Sequence, residues 1–449
     1  MSKQKIQLSD HFDYSRLIRF VLPCIGTMLF TSIYGIVDGL CVSNFVGKTA
    51  FAAVNLIMPL PMLLGTIGFM LGTGGSAIVG ITLGEGDQKK ADRYFTLFLL
   101  AALVSVSVLA VLGIVFLRPI AVLLGAKGEL LDYAVRYGRI LMVSLPTFAL
   151  QNMFQSFFVT AEKPHLGFWF TVGAGCTNMV LDVLMVGIWG WGVEGAAIAT
   201  FISQLVGGVL PVFYFIDRSN SSRLHLCKTS FYSKVLRDAC INGSSELMTN
   251  LSMSLVNILY NFQLLRLAGE NGVAAYGVIM YAAFLFVAVF VGYAVGSAPI
   301  VSFHYGARNH AEVHNLYRKS LRLIAVVAVT LTLASMFIIP CVARIFVGYD
   351  AELLALTSRA FRLYALSFLI MGFNVYASSF FTALGDGVTS ALISFLRTLA
   401  FQVIAILLLP LLLGIDGIWL AVTAAELAAL AVSAAMLLTK DKVFHYRKA

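Results

Sequence analysis

Charge is what this sequence has least of. Only 12% of its 449 residues are Asp, Glu, Lys or Arg, while 59% are hydrophobic, and the mean hydropathy is +0.89. Soluble domains carry about a quarter of their residues charged, so a water-soluble fold is excluded and the chain reads as an integral membrane protein. Cysteine is also scarce. The six (Cys24, Cys41, Cys176, Cys227, Cys240, Cys341) are scattered with no CxxC pair, which excludes a disulfide framework and a dithiol redox motif and leaves reduced, apolar packing residues. No nucleotide P-loop, HExxH, GxSxG or clustered Cys/His motif occurs, which counts against an ATP-driven pump or an intramembrane hydrolase and leaves no cofactor to expect. No short apolar segment followed by a small-residue cleavage site precedes the first full apolar run, so no signal peptide is expected and the N-terminus is placed in the cytoplasm.

What the chain has in abundance is apolar runs long enough to cross ~30 Å of hydrocarbon. Twelve are predicted, over 17–44, 51–83, 95–117, 138–161, 166–189, 193–216, 237–264, 273–305, 321–343, 361–384, 388–413 and 417–439. The net charge of +9 follows their topology and requires no nucleic-acid partner. With the N-terminus inside, 21 Lys and Arg fall in cytoplasmic segments and nine outside, the remaining one, Arg397, lying within span eleven. An even number of spans returns both termini to the cytoplasm.

The sequence repeats itself. Shifted by 222 residues, VGKTAFAAVNLIMPL (46–60) meets AGENGVAAYGVIMYA (268–282), and 47–84 shows ten identities without a gap. The corners WGVEGAA (191–197) and LGIDGIW (413–419) keep the same offset. This implies two six-span copies in the same orientation, related by an axis along the membrane normal. The expected division is an N-terminal segment 1–16, a first lobe 17–216, a polar linker 217–236, a second lobe 237–439 and a tail 440–449, with both ends and the linker cytoplasmic. Small residues such as Gly26, Gly35, Gly39, Gly173 and Gly175 are expected to admit close helix contacts, and Pro23, Pro59, Pro61, Pro146 and Pro299 to bend spans. Glu194 and Asp416 are expected to face the positive ends of helix dipoles at the outer corners.

Few polar groups lie inside the spans. Asp38 in span one, Asp182 in span five and Thr200 in span six fall at nearly one depth in the outer half of the first copy, with Tyr34 and Asn178 one turn from the two carboxylates on the same helical faces. An ionisable group at a helix centre costs ~2.5–3.5 kcal/mol to insert, so these aspartates are expected to have functional work. Two nearby carboxylates away from bulk water repel one another and suit the binding and release of a proton, or of Na⁺. The second copy has Tyr260 and Ile404 at the matching positions. Its buried charges are Glu246, Arg397 and Glu426, and equal depth predicts a Glu246–Arg397 ion pair. Asn152, Phe154, Gln155, Phe157, Met253, Asn257, Tyr260, Met280, Tyr281 and Phe284 mix amides, methionines and aromatics as an adaptable pocket for flat lipophilic or cationic molecules would.

With its six-plus-six layout, VDGLCVSNFVG in span one, the Asn178 and Asp182 pair and the WGVEGAAIAT corner, the chain resembles the multidrug and toxic compound extrusion (MATE) family, in its MepA-like bacterial branch. The resemblance covers essentially the whole chain. It implies an all-α membrane fold of two six-helix bundles, no enzymatic activity, and efflux of drugs by antiport across a bacterial inner membrane, with antibiotic resistance as its outcome. It also implies a first-lobe ion site at Asp38, Asn178, Asp182 and Thr200, with Tyr34 beside it, and a hinge at Pro23. Relatives with a second-lobe sodium site use acidic residues on helices seven and ten; here Glu246 matches the first, while span ten offers Asn374. That departure favours first-lobe proton coupling over Na⁺. A monomer in membrane lipid is expected.

Overall fold

The computed structural model describes residues 6–348 and 350–447, without the side chains of residues 39, 40, 42–44, 48, 342 and 345. Residues 1–5 of the expected N-terminal segment 1–16 and the last two residues of the tail therefore lie outside the described residues, as do the side-chain surroundings of Gly39 and of its neighbours in the VDGLCVSNFVG motif. Among the described residues every regular element is helical. In hydrocarbon each backbone N–H and C=O must be paired within its own segment, so an apolar chain of this length has little alternative.

Among the described residues nine helices are long and apolar enough to cross a membrane, and the pair Ala351–Ala365 and Phe368–Ala383, bent by 46°, forms another span. One of the nine, Ser244–Gly306, runs 63 residues and supplies two spans, because it turns back at Gly269 (φ 61, ψ −151). The rings of Tyr260 and Tyr276, either side of that turn, stack at 4.9 Å, whereas a straight helix would hold them ~24 Å apart. Gly128–Thr160 completes the twelve; it begins with charged turns (Glu129, Asp132, Arg136, Arg139) before becoming apolar. In chain order the spans are Tyr14–Phe45, Thr49–Gly84, Gln88–Leu123, Gly128–Thr160, Pro164–Ile188, Gly192–Ile216, the two limbs of Ser244–Gly306, His310–Val347, the bent pair, Gly387–Leu413 and Ile415–Thr439.

The duplication is written into the backbone. Left-handed φ values recur at matching points of the two copies: Gly47 and Gly269, Gly86 and Arg308, Glu162 and Gly385, Gly192 and Gly414. These are the reversals between spans, where only a residue tolerant of positive φ turns the chain sharply. Asp87 and Asn309 cap the third and ninth spans in the same way, accepting from the amides of Lys90 and Glu312. At the opposite face Glu194 and Asp416 sit in first helical turns as expected, and each also meets an arginine of its own copy, Arg136 (3.6 Å) and Arg359.

The copies meet through glycine. A Cβ on Gly84 of span two would stand 2.0 Å from the Phe303 carbonyl oxygen, and one on Gly306 of span eight 2.0 Å from that of Ile81. These are equivalent contacts made across the pseudo-two-fold axis. Gly292 and Gly296 bring span eight against span one, where a Cβ would stand 2.5 Å from Ile25 and 2.9 Å from Val21, with Cys24 beside both, and Gly243 lies against the Met70 backbone. All of this lies toward the face that carries both described chain ends, called here the terminal face. Of the glycines expected to pack, Gly26 abuts Phe168 and Gly175 abuts Phe30 and Tyr34, but Gly35 meets nothing within 4 Å and Gly173 touches only Val206 at 3.9 Å. All six cysteines carry free thiols.

Candidate functional site

Span one brings Asp38, and span five Asp182, to the first lobe's interior. Gly175 makes the approach possible: without a side chain it lets Phe30 and Tyr34 of span one lie directly on span five. At Asp182 the α-helix opens into a π-turn, Asp182–Ile188, in which the Trp189 amide reaches back to Leu184 at 2.8 Å. Such a turn inserts a residue and re-aims side chains, and π-turns concentrate at functional sites. Span six packs against this turn, its Gly195 resting on the Met185 backbone.

Asp182 is fully buried and its carboxyl adjoins that of half-buried Asp38, each within the other's electrostatic reach. Neither Asp182 oxygen receives a hydrogen bond among the described residues, and the buried Asn178 Nδ2 donates none. Asn178 lies one helical turn before Asp182 and accepts that residue's amide through its own carbonyl. Tyr34 lies in the field of Asp38. Thr200 is half-buried on span six, with its carbonyl accepting from Ser203. Two residues were not anticipated. Tyr137 of span four is 1% exposed and lies in the field of both aspartates, its hydroxyl reaching only the Met58 sulfur at 4.0 Å, and Cys41 lies near both carboxyls. The predicted span four begins at 138, one residue past Tyr137, whereas the helix begins at Gly128, so the depth argument counts from too late a boundary to find it.

A carboxylate pair without a donor between them is chemically suited to take up a proton or a small cation. Among the described residues no three His, Cys, Asp or Glu side chains converge in a way that could hold a metal ion. Pro23 is buried within an unbroken helix Tyr14–Phe45, and its carbonyl accepts a second bond from the Thr27 hydroxyl at 2.9 Å.

The second lobe corrects the predicted ion pair. Arg397, in a π-turn of its own (Leu396–Ala400), pairs with Glu426 at 3.6 Å rather than with Glu246, because the guanidinium faces span twelve. Glu246 is half-buried and within the reach of the same charge. Glu426 also accepts from Asn374 at 2.7 Å, and Asn374 in turn accepts from Ser433 at 2.9 Å. Glu426 and Asn374 thus have partners within the lobe, while Glu246 shares the field of the same guanidinium.

The predicted pocket residues do not form one group. Phe154 and Phe157 are buried in the first lobe's core, against Phe95, Phe158 and Phe215, and Tyr260 is buried against Tyr276 in the second lobe's core. For these three the pocket reading is corrected, since their rings have no free face. Asn152 is buried with its Nδ2 unpartnered among the described residues, and Gln155 borders a small cavity with Cys24, Thr27 and Met28. Met253, Asn257, Tyr281 and Phe284 are exposed, Tyr281 stacking on Phe346, and Met280 is half-buried against the second core.

A duplicated twelve-span bundle with a buried acidic pair in one lobe defines a membrane transporter, and the comparisons agree. The MatE family model matches twice, over residues 23–184 and 247–408, once in each copy. The chain belongs to the MatE family; it is a multi-pass membrane transporter and not an enzyme. It is 20% identical over 434 residues to the Multidrug export protein MepA of Staphylococcus saprophyticus, covering 96% of this chain and 95% of that one. It is 21% identical over 432 residues to MepA of Staphylococcus aureus strain MSSA476, with the same coverage. Among solved structures it superposes on a MATE crystal structure in complex with MaL6 (TM-score 0.92, 22% identity). The outward-facing conformation of a multidrug resistance MATE family transporter of the MOP superfamily is as similar (TM-score 0.92, 23% identity), and both superpositions cover 100% of each chain.

Proposed function

We propose that the chain is a secondary active multidrug efflux transporter that exports lipophilic, often cationic compounds in exchange for protons. The observation that carries this reading is the Asp38–Asp182 pair on two mutually packed spans, in which the fully buried Asp182 has no hydrogen-bond donor from any other residue among the described residues. A proton arriving from outside and a cationic substrate arriving from inside would compete for this negative region, and alternating access between the two lobes would keep them apart in time. Tyr34, Asn178, Thr200 and Tyr137 would position the carboxyls, and Pro23 would let span one bend when they are neutralised. The terminal face is taken as cytoplasmic, with the lobes at 17–216 and 237–439 and the protein acting as a monomer in the bacterial inner membrane. The names of the MepA relatives, which span nearly the whole chain, support drug export.

The competing reading is a Na⁺-coupled antiporter of the same fold, since the same oxygens can hold Na⁺. A lipid-linked sugar flippase is farther away: it would need a basic cavity, and the half-buried Arg397 of span eleven is tied to Glu426. The test is export of a fluorescent lipophilic cation from proteoliposomes under an imposed pH or Na⁺ gradient. Transport driven by pH alone, and reduced to background in Asp38→Asn and Asp182→Asn, is the expected result. Transport driven by Na⁺ alone would replace the proton, and Asp38→Asn exporting at the wild-type rate would overturn the site.

A further inference from the structure

The segment before each copy crosses to the other copy. Residues 223–229 of the linker lead into the second copy but lie along the start of span three in the first. The His225 amide donates to Asp92 at 3.0 Å, the Cys227 amide to the Thr96 hydroxyl at 3.1 Å, and the Thr229 hydroxyl to the Arg93 carbonyl at 2.8 Å. Residues 8–12 lead into the first copy but lie along the start of span nine in the second. The Phe12 amide donates to Glu312 at 2.9 Å, and the Phe12 carbonyl accepts from Asn315 at 3.0 Å and Lys319 at 2.6 Å. His11 meets the other Glu312 oxygen at 2.6 Å. The two grips sit at matching positions of the two copies, an exchange of arms across the pseudo-two-fold axis.

The N-terminal arm differs from the linker in having a second anchor in the first lobe. The Leu8 amide donates to Glu162 at 2.9 Å, in the turn between spans four and five, and the same carboxylate oxygen takes Arg223 at 2.6 Å. Leu8 and Phe12 are both fully buried, and Arg223 stacks over Phe303 of the second lobe at 5.0 Å. Glu162 holds a left-handed φ of 61, where the second copy has Gly385. A glycine would adopt that backbone without strain, so a glutamate there points to a need for its carboxylate.

We propose that residues 8–12 are a strap that holds the terminal face shut by tying the first lobe at Glu162 to the second at Glu312. Four residues of chain span at most ~14 Å, so the two anchors cannot move apart without one releasing its amide. The strap is a conformational device: it sets how often the lobes part beside Gly292 and Gly296, and so the rate at which the inward-facing state is reached. This rests on the alternating-access reading above.

The test uses Cys24, buried where span one meets Gly296, as the reporter. In the full chain with the other five cysteines replaced by serine, its labelling by a membrane-impermeant maleimide is followed in inside-out vesicles, with and without an imposed ion gradient. Glu312→Ala, and deletion of residues 2–9, are each expected to speed labelling about tenfold, as loss of charge-assisted hydrogen bonds would. The combined variant is expected to label no faster than either alone, because both cut one tie. Glu312→Gln, which keeps an acceptor for the Phe12 amide, is expected to fall between and guards against misfolding of the alanine variant. Labelling that responds to the gradient but is the same in all variants, or effects that multiply in the combined variant, would overturn the strap and leave alternating access standing. No labelling in any variant under any gradient would overturn both.

Discussion

The two lobes share a backbone and differ in how they treat buried charge. The first carries two carboxyls side by side, with no donor to Asp182 from any other residue among the described residues, while the second carries Glu426 beside Arg397 and Asn374. At the positions of Asp38 and Asp182 the second lobe has Tyr260, stacked on Tyr276, and Ile404. Positive-φ turns, caps and the glycine seam recur in both copies, so duplication has kept the geometry and let the chemistry diverge. An unpaired carboxyl pair demands a partner from solution. A pair that already contains its guanidinium does not, and the proposed ion coupling in the first lobe rests on that contrast.

The sharpest way to break this contrast is to remove one partner from each lobe. Arg397→Met leaves Glu426 buried beside an apolar side chain and is expected to cost ~3–5 kcal/mol, whereas Arg397→Met combined with Glu426→Met should return to within ~1 kcal/mol of wild type. Asp182→Asn, by contrast, removes a charge that has no bonded partner and should leave stability within ~1 kcal/mol while abolishing coupling. Denaturation in detergent micelles measures all three, and equal losses from Arg397→Met and Asp182→Asn would erase the distinction.

A smaller effect tests the shared geometry. Gly84→Ala and Gly306→Ala each place a methyl 2.0 Å from a carbonyl oxygen and should each cost ~1–3 kcal/mol. Gly35→Ala, with nothing within 4 Å, should instead gain ~0.5–1 kcal/mol from helix propensity. A matched pair of melting curves decides whether the seam is as symmetric energetically as it is in shape.

The smallest effect lies at the second copy's counterpart of Glu162. Asp386, next to Gly385, is partly buried, which opposes ionisation, but bonds from Lys440 and Thr389 outweigh that and hold its carboxyl below the usual range. Because the folded value is depressed, its contribution is present at neutral pH and fades as pH falls through that lowered value, below about 4. Lys440→Ala should cost under ~1 kcal/mol at pH 7, since the amine is partly exposed, and the difference from wild type should close in acid. A difference that widens in acid would reverse the sign of this account.

Much of the fold could be read from the sequence because its cause is local: apolar length gives spans, and the 222-residue offset gives the duplication. The first-lobe aspartates were legible because charge inside a span is expensive and therefore conspicuous. What escaped depends on which way a helix face turns. Depth alone paired Arg397 with Glu246, but a π-turn rotates the guanidinium toward Glu426. Composition placed Phe154 and Phe157 in a pocket, yet a phenylalanine that lines a cavity and one that fills a core look alike in sequence. The strap was invisible for a different reason: its bonds run from backbone amides of Leu8 and Phe12, which carry no side-chain signature.

The seam between spans two and eight has a further consequence for energy economy. Where Gly84 and Gly306 press backbone on backbone, neither contributes a side chain that water could wet or a proton could hop along. On the alternating-access reading proposed above, this seam is an insulator as well as a gate: an ion gradient could not bleed through it unless the lobes moved.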